Sequence, residues 1–454
     1  MNMYPEFENP PWIDNSGDDS DDDEWLFNSM QRYKQIFKYS IVCDAASIDI
    51  HAGSRRLVIA GARSSWVGNK SNNKALYEIA VYSIPEKLVL ESGEKEGLSN
   101  GRDLSLLAGI GLESSILKVA FLSSDLLVFV QKNTVSVWSI DSESDLLINL
   151  KKISLEFPLL FANLLIINEN SVILGYPRNK QIQIEELDLK RSSGNEPELN
   201  ESRSKNTKIS CFPKNMIFEQ FDEFNKNLIV ALANDTSTIK NHLFFEPQLH
   251  DENSVTFHYL GGIQDATEDK SSEKELLTSC WRKTDKVNKR LLGAAIKMET
   301  NIESSRTLSL YVYYSESLEQ NILKSHQCSQ NMNINFSEEL VGKDEINMSR
   351  NDISMQFVSA SDTISLANCG GKELCGHTLL IKFKTKINLY QINIQASDNP
   401  DDNLPWRADC KLLFCHDAHK APVRHALQYS ARLPQLFLSV DENKDLHAWH
   451  WQKT

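Results

Sequence analysis

The stretch "LFLSVDENKDLHAWHWQKT", Leu436–Thr454, decides how the rest of the chain is read. Leu436–Val440 and Leu446–Trp451 are two apolar runs rich in Leu, Val, Phe and Trp. Between them lies a polar loop with Asp441, Asn443 and Asp445, the pattern of a β-hairpin. Only three residues follow Trp451. A strand in that position has an unpaired side, and open strand edges invite association. The hairpin therefore predicts a partner strand from elsewhere in the sequence.

Working backwards, similar hairpins recur. Strand-like runs pair as Arg56/Tyr77, Leu126/Val135, Ser171/Gln181, Asn227/Thr238, Arg290/Leu308, Leu379/Ile387 and Leu436/Leu446. Val, Ile, Tyr and Phe dominate them, and turn residues separate them. Their spacing, about 45–90 residues, exceeds the ~40–45 of one WD-type unit. Polar insertions near 190–208, 262–275, 327–352 and 396–409 account for the excess and read as disordered loops. The fold class this predicts is all-β: a seven-bladed WD-type β-propeller over 36–454.

The last unit carries the fullest signature. His419 precedes Trp449 by 30 residues, close to the separation of the Gly-His and Trp-Asp marks of a WD unit. Ala418 stands where Gly is usual, and His450 where Asp is usual. His419, Ser439, Asp441 and Trp449 are the expected hydrogen-bonding network of this unit, because a buried indole N–H needs an acceptor. Trp138, in "VSVWSI", is its expected counterpart in the second unit. The partner strand for Leu446–Trp451 is "IFKYSIVC" (Ile36–Cys43), which would close the ring.

The N-terminal region reads differently. "GDDSDDDE" (Gly17–Glu24) holds six carboxylates in eight residues. Such a run repels itself and stays solvated, so 1–24 is expected to be a disordered acidic tail. Leu26, Met30, Tyr33 and Phe37 then follow at helical spacings, which predicts a short helix over 25–35. Asp21, Asp22, Asp23, Trp25, Leu26 and Tyr33 are the candidate contacts for a protein partner. The competing reading packs Trp25, Leu26, Met30 and Tyr33 onto the chain's own β-structure. Ser20, among acids, suits an acid-directed kinase.

Composition bounds the function. The chain has 454 residues, 41% hydrophobic and 24% charged, with a net charge of −14. That profile predicts a folded protein and disfavours direct nucleic-acid binding, which usually needs a basic face. The first 24 residues lack an apolar signal-peptide core, and "FPLLFANLLII" (Phe157–Ile167) is too short to span a bilayer. Eight thinly spread cysteines fit a reducing compartment. No phosphate loop, H-E-x-x-H or G-x-S-x-G motif occurs, so no catalytic residue, cofactor or metal is expected. Cys369, Cys375 and His377, and Cys410, Cys415, His416 and His419, have looser spacing than structural zinc pairs and read as ordinary core residues.

The two ends together resemble the WD repeat-containing protein 73 family. The resemblance rests on "DDDEWLFNSMQRYKQIF", on "RLVIAGA" near residue 60, and on "LFLSVDENKDLHAWHWQ". It implies a non-enzymatic scaffold, monomeric on its own, found in the cytoplasm, in the nucleus and at spindle poles. It also implies partnership with the RNA-cleaving subunits of the Integrator complex, as an assembly or stabilising factor, or a part in microtubule and spindle organisation. The alternatives are a propeller enzyme or ligand-binding protein using a central channel, and a direct microtubule binder. The acidic balance counts against the last.

Overall fold

The computed structural model describes residues 33–63, 77–89, 103–141, 146–155, 158–160, 162–178, 181–189, 216–221, 229–233, 240–250, 254–265, 273–283, 291–300, 306–315, 330–332, 353–358, 375–396, 406–430 and 432–451. The chain is all-β across these residues. The helical content among them is a four-residue turn, Glu86–Val89, and a 3₁₀ turn, Ala52–Ser54.

Strand β1 (Tyr33–Ser40) precedes a meander of β2 (Cys43–His51), β3 (Arg56–Arg63), β4 (Tyr77–Ser83) and β5 (Ser105–Leu112). A second meander follows: β6 (Ile116–Phe121), β7 (Leu126–Gln131), β8 (Thr134–Asp141) and β9 (Leu146–Ser154). The two share one eight-stranded sheet through a single parallel pair, Gly109 with Leu146. This double sheet comes close to closing on itself. Val119 N–H donates to Ser47 Oγ (3.1 Å) and Phe121 N–H to Asp49 Oδ2 (2.7 Å), tying β6 back to β2.

Five more sheets complete the described fold, four of them built from strands consecutive in the chain. The first holds β10 (Asn163–Asn168), β11 (Ser171–Arg178) and β12 (Gln181–Asp188). The next holds β13 (Met216–Phe221), β14 (Ile229–Ala233), β15 (Lys240–His250) and β16 (Ser254–Asp265). Then come β17 (Glu273–Lys283), β18 (Leu291–Thr300), β19 (Arg306–Ser315) and β20 (Gln330–Met332). The fourth holds β21 (Ser354–Val358), β22 (Cys375–Lys382), β23 (Ile387–Ala396) and β24 (Trp406–His416). All seven hairpins expected from the sequence pair antiparallel.

The last sheet mixes the two ends of the described chain. Its order is β1, then β27 (Asp445–Trp451), β26 (Leu433–Asp441) and β25 (Val423–Ser430). Tyr33 stands opposite Trp451, Ile36 opposite Trp449 and Tyr39 opposite Leu446. The expected pairing of an N-terminal strand with Leu446–Trp451 is thus observed, starting three residues earlier than Ile36. Three residues assigned to a helix from their spacing, Tyr33, Lys34 and Gln35, belong to β1 instead. A ladder partner along β27 satisfies every second backbone group of that segment, and this outweighs a weak helical period.

Several expected loops also shorten. Gly262–Asp265 continue β16, Glu273–Glu275 begin β17, and Gln330–Met332 form β20. Ala396 ends β23, and Trp406–Asp409 open β24. Polar composition hid these ends, because ladder hydrogen bonds need only backbone. The tail 1–24, the rest of the expected helix and the insertion 190–208 lie outside the described residues.

Apolar layers sit between neighbouring sheets. Along β26, Leu436, Leu438 and Val440 face one neighbour, joining Leu57, Ile59, Ala80 and Tyr82. Phe437 faces the other way, with Trp449, Trp451, Phe414 and Leu389. The period of two thus serves two cores at once, which explains why β26 and β27 read as nearly continuous apolar runs. Each large side chain so buried stabilises the fold by about 1.5–3 kcal/mol. Further layers join the two halves of the double sheet, its second half to β10–β12, and β17–β19 to β21–β23.

Polar staples reinforce the same contacts. Lys382 Nζ donates to Val423 O (3.0 Å), Gln356 Nε2 to Ala426 O (2.9 Å) and His425 Nε2 to Ala45 O (3.1 Å). Gly61 packs where β2 bulges between Ala45 and Ser47; a Cβ there would run into the Asp44 carbonyl.

Candidate functional site

The densest cluster of chemistry-bearing side chains lies at the closing sheet. His419 sits in the connection from β24 to β25. Its Nδ1 is 3.0 Å from Asp441 Oδ2 and its Nε2 is 2.8 Å from Ser439 Oγ. Trp449 Nε1 donates to the same Ser439 Oγ at 3.1 Å. An indole can only donate, so Ser439 turns its own proton toward His419 Nε2. That leaves the Nδ1 proton of His419 for Asp441, and no two lone pairs face each other. Asp441 Oδ1 also accepts from the backbone N–H of Asn443 (2.9 Å) and Asp445 (3.0 Å). These bonds shape the turn between β26 and β27, where Lys444 takes the left-handed conformation (φ 67°).

The four residues singled out in the last unit therefore meet, and all are buried. Burial pushes the His419 imidazole down to about 4; the Asp445 carboxylate opposes this and Lys38 adds to it. Burial also raises Asp441, against the backbone N–H bonds that hold it down. The neutral His419 imidazole fits the proton assignment given above. The contact of His419 with Asp441 is accordingly a hydrogen bond and not an ion pair.

Two residues join this cluster that sequence reasoning did not assign to it. His447 lies on β27, two residues before Trp449 and so on the same strand face. Its ring stacks on His419 at 3.9 Å and 9°, and its Nδ1 is 3.2 Å from His416 Nε2. Burial, with His419 beside it, pushes His447 down to about 3. His416, at the end of β24, stacks on Trp449 (4.7 Å, 9°) and meets Tyr33 Oη at 2.8 Å through Nδ1. The "LHAWHW" alternation held the signal for His447. Nothing local to Tyr33 pointed at His416.

Other candidates fall elsewhere. Tyr33 is 6% exposed, edge-on to Phe414 at 5.0 Å, so it is spent inside the fold and is no surface contact. Trp138 lies in another sheet and donates to Ser136 Oγ of its own strand at 2.8 Å, beside Phe129. It takes no part in the network of the last sheet. Asp21, Asp22, Asp23, Trp25, Leu26, Met30 and Cys369 lie outside the described residues. Cys410 and Cys415 are half-buried. Cys410 packs against the core between β17–β19 and β21–β23, and Cys415 points to the opposite face of β24 from His416.

No helix among the described residues is long and apolar enough to cross a membrane. No family model and no curated protein matches the chain.

Proposed function

We propose that this chain is a seven-bladed WD-type β-propeller acting as a non-enzymatic scaffold for other proteins. The observation that carries the reading is the closing sheet. There β1 joins β25–β27, and His419, Ser439, Asp441 and Trp449 lock one another in the manner of a WD unit. Seven sets of three or four strands, with apolar layers at five of the junctions between neighbouring sets among the described residues, support the ring. The buried imidazole, carboxylate and hydroxyl face one another and not a cleft, which favours packing over catalysis.

The partners follow from the resemblance to the WD repeat-containing protein 73 family. They are the RNA-cleaving subunits of the Integrator complex, which the scaffold would assemble or stabilise, or spindle-associated proteins. The Asp-rich run before Trp25 would steer a basic surface by long-range attraction. Cytoplasm, nucleus and spindle poles are the locations this reading implies.

A pull-down of tagged full-length protein, beside one lacking residues 1–24 and read by mass spectrometry, tests it. Near-stoichiometric recovery of those subunits or of spindle proteins is the expected result. Their loss on truncation would place the contact on the acidic run. Recovery of no protein by either version would overturn the scaffold reading.

A further inference from the structure

We propose that His416, His419 and His447 form a binding site for one divalent transition-metal ion of the zinc or copper class. One nitrogen from each of the three rings lies within 4.8 Å of the others. His416 Nε2 and His447 Nδ1 are 3.2 Å apart. Two nitrogens each about 2.0–2.1 Å from one tetrahedral zinc stand at about that separation. Three imidazoles favour zinc, copper or nickel over magnesium or calcium, which take oxygen ligands.

The surroundings are those of a ligand set. Metal-bound histidines hold their second nitrogen on an outer partner that fixes ring orientation. Tyr33 Oη takes that place on His416 Nδ1 at 2.8 Å, and Asp441 on His419 Nδ1 at 3.0 Å. The Asp441 carboxylate is fully buried and offsets part of the charge of an ion in this dry setting. Binding replaces two contacts, His416 with His447 and Ser439 with His419 Nε2. It also tilts the parallel His419 and His447 rings, so that their in-plane lone pairs converge. His419 lies in a connection and not in a ladder, so its backbone is the freest of the three to adjust. The ion would bridge β24, β27 and the segment between β24 and β25, stapling two sheets next to the strand that closes the last one.

The test uses untagged full-length protein, stripped with a chelator and offered Zn²⁺ or Co²⁺. Expected are one ion per chain after desalting, a higher Tm, and the ligand-field absorption of a tetrahedral Co²⁺ centre. His447→Gln and His416→Gln should each abolish retention, and Tyr33→Phe should weaken affinity about tenfold through the outer partner. A His51→Gln control, remote from the cluster, should leave binding intact. Wild-type protein that retains no ion overturns the proposal without recourse to any variant. So does an ion that stays bound in the His416→Gln/His447→Gln double variant, since it must then sit elsewhere.

Discussion

Tyr33 and His416 are 383 positions apart in the chain, yet the phenol oxygen lies 2.8 Å from the imidazole Nδ1. The bond joins the first described strand to the end of β24, in a different sheet. Tyr33 also packs edge-on against Phe414 and stands opposite Trp451 in the ladder. One side chain thus anchors β1 both along the sheet and across to its neighbour.

Removing only the hydroxyl should therefore cost more than a typical surface change. Tyr33→Phe leaves one buried imidazole nitrogen without its partner, a loss of about 1–3 kcal/mol. Tyr33→Ala also empties the ring's place beside Phe414 and should cost about 3–5 kcal/mol. Urea unfolding of the two variants against wild type reads both values, and the difference between them isolates the ring.

Deleting β1 has a different outcome from deleting what precedes it. A version lacking residues 1–40 exposes the β27 backbone edge, with Trp449 and Trp451 beside it, and should self-associate at micromolar concentration. A version lacking residues 1–32 keeps the ladder from Tyr33 to Ser40 and should stay monodisperse. Light scattering of the two preparations separates the cases.

Stability should fall as pH drops below neutrality. His419, His425 and His447 have folded values pushed from 6.5 down to about 4, about 4 and about 3. Between those values and 6.5 the unfolded chain binds more protons than the folded one, so protonation favours unfolding. Their contribution is fully present above about pH 6.5 and is lost progressively on the way to about pH 4 for His419 and His425 and about pH 3 for His447. Each pKa unit corresponds to about 1.4 kcal/mol, so His419 contributes up to about 3 kcal/mol of this slope. The raised Asp441 runs the other way, since protonating it in acid favours the fold. Urea midpoints measured from pH 7.5 to 4.5 should decline, and His447→Gln should flatten the decline.

Gly61 is a steric necessity at the β2 bulge. A methyl group there collides with the Asp44 carbonyl, and the backbone of one strand must move. Gly61→Ala should destabilise by about 1–3 kcal/mol, the usual range for overfilled interiors. Gly111→Ala, whose Cβ would meet nothing within 4 Å, is the control and should be close to neutral in the same melt.

Much of this architecture was legible because strands announce themselves by composition. Arg56–Ala62, Leu126–Gln131 and Leu436–Val440 each combine branched apolar residues with polar turns, and each proved to be a strand. The His419, Ser439, Asp441 and Trp449 set was readable because its members keep the spacing of a recurring unit. Tyr33 was misread since Leu26, Met30, Tyr33 and Phe37 match a helical period, while the true determinant, β27, is remote in sequence. His447 was overlooked for a related reason. Its role comes from stacking on His419 and meeting His416, contacts that only the packed sheets create.

The pairing of β1 with β27 also orders events in time. Ribosomes deliver about 5–20 residues each second. Strand β1 therefore leaves the ribosome tens of seconds before Asp445–Trp451 exist to receive it. Until then Tyr33, Ile36 and Tyr39 wait for their ladder partners, and the sheet that joins β1 to β25–β27 can assemble only once Asp445–Trp451 have been made. A nascent chain of this design is open to chaperones, and to capture of β1 by the wrong strand, for the whole interval before Asp445–Trp451 emerge.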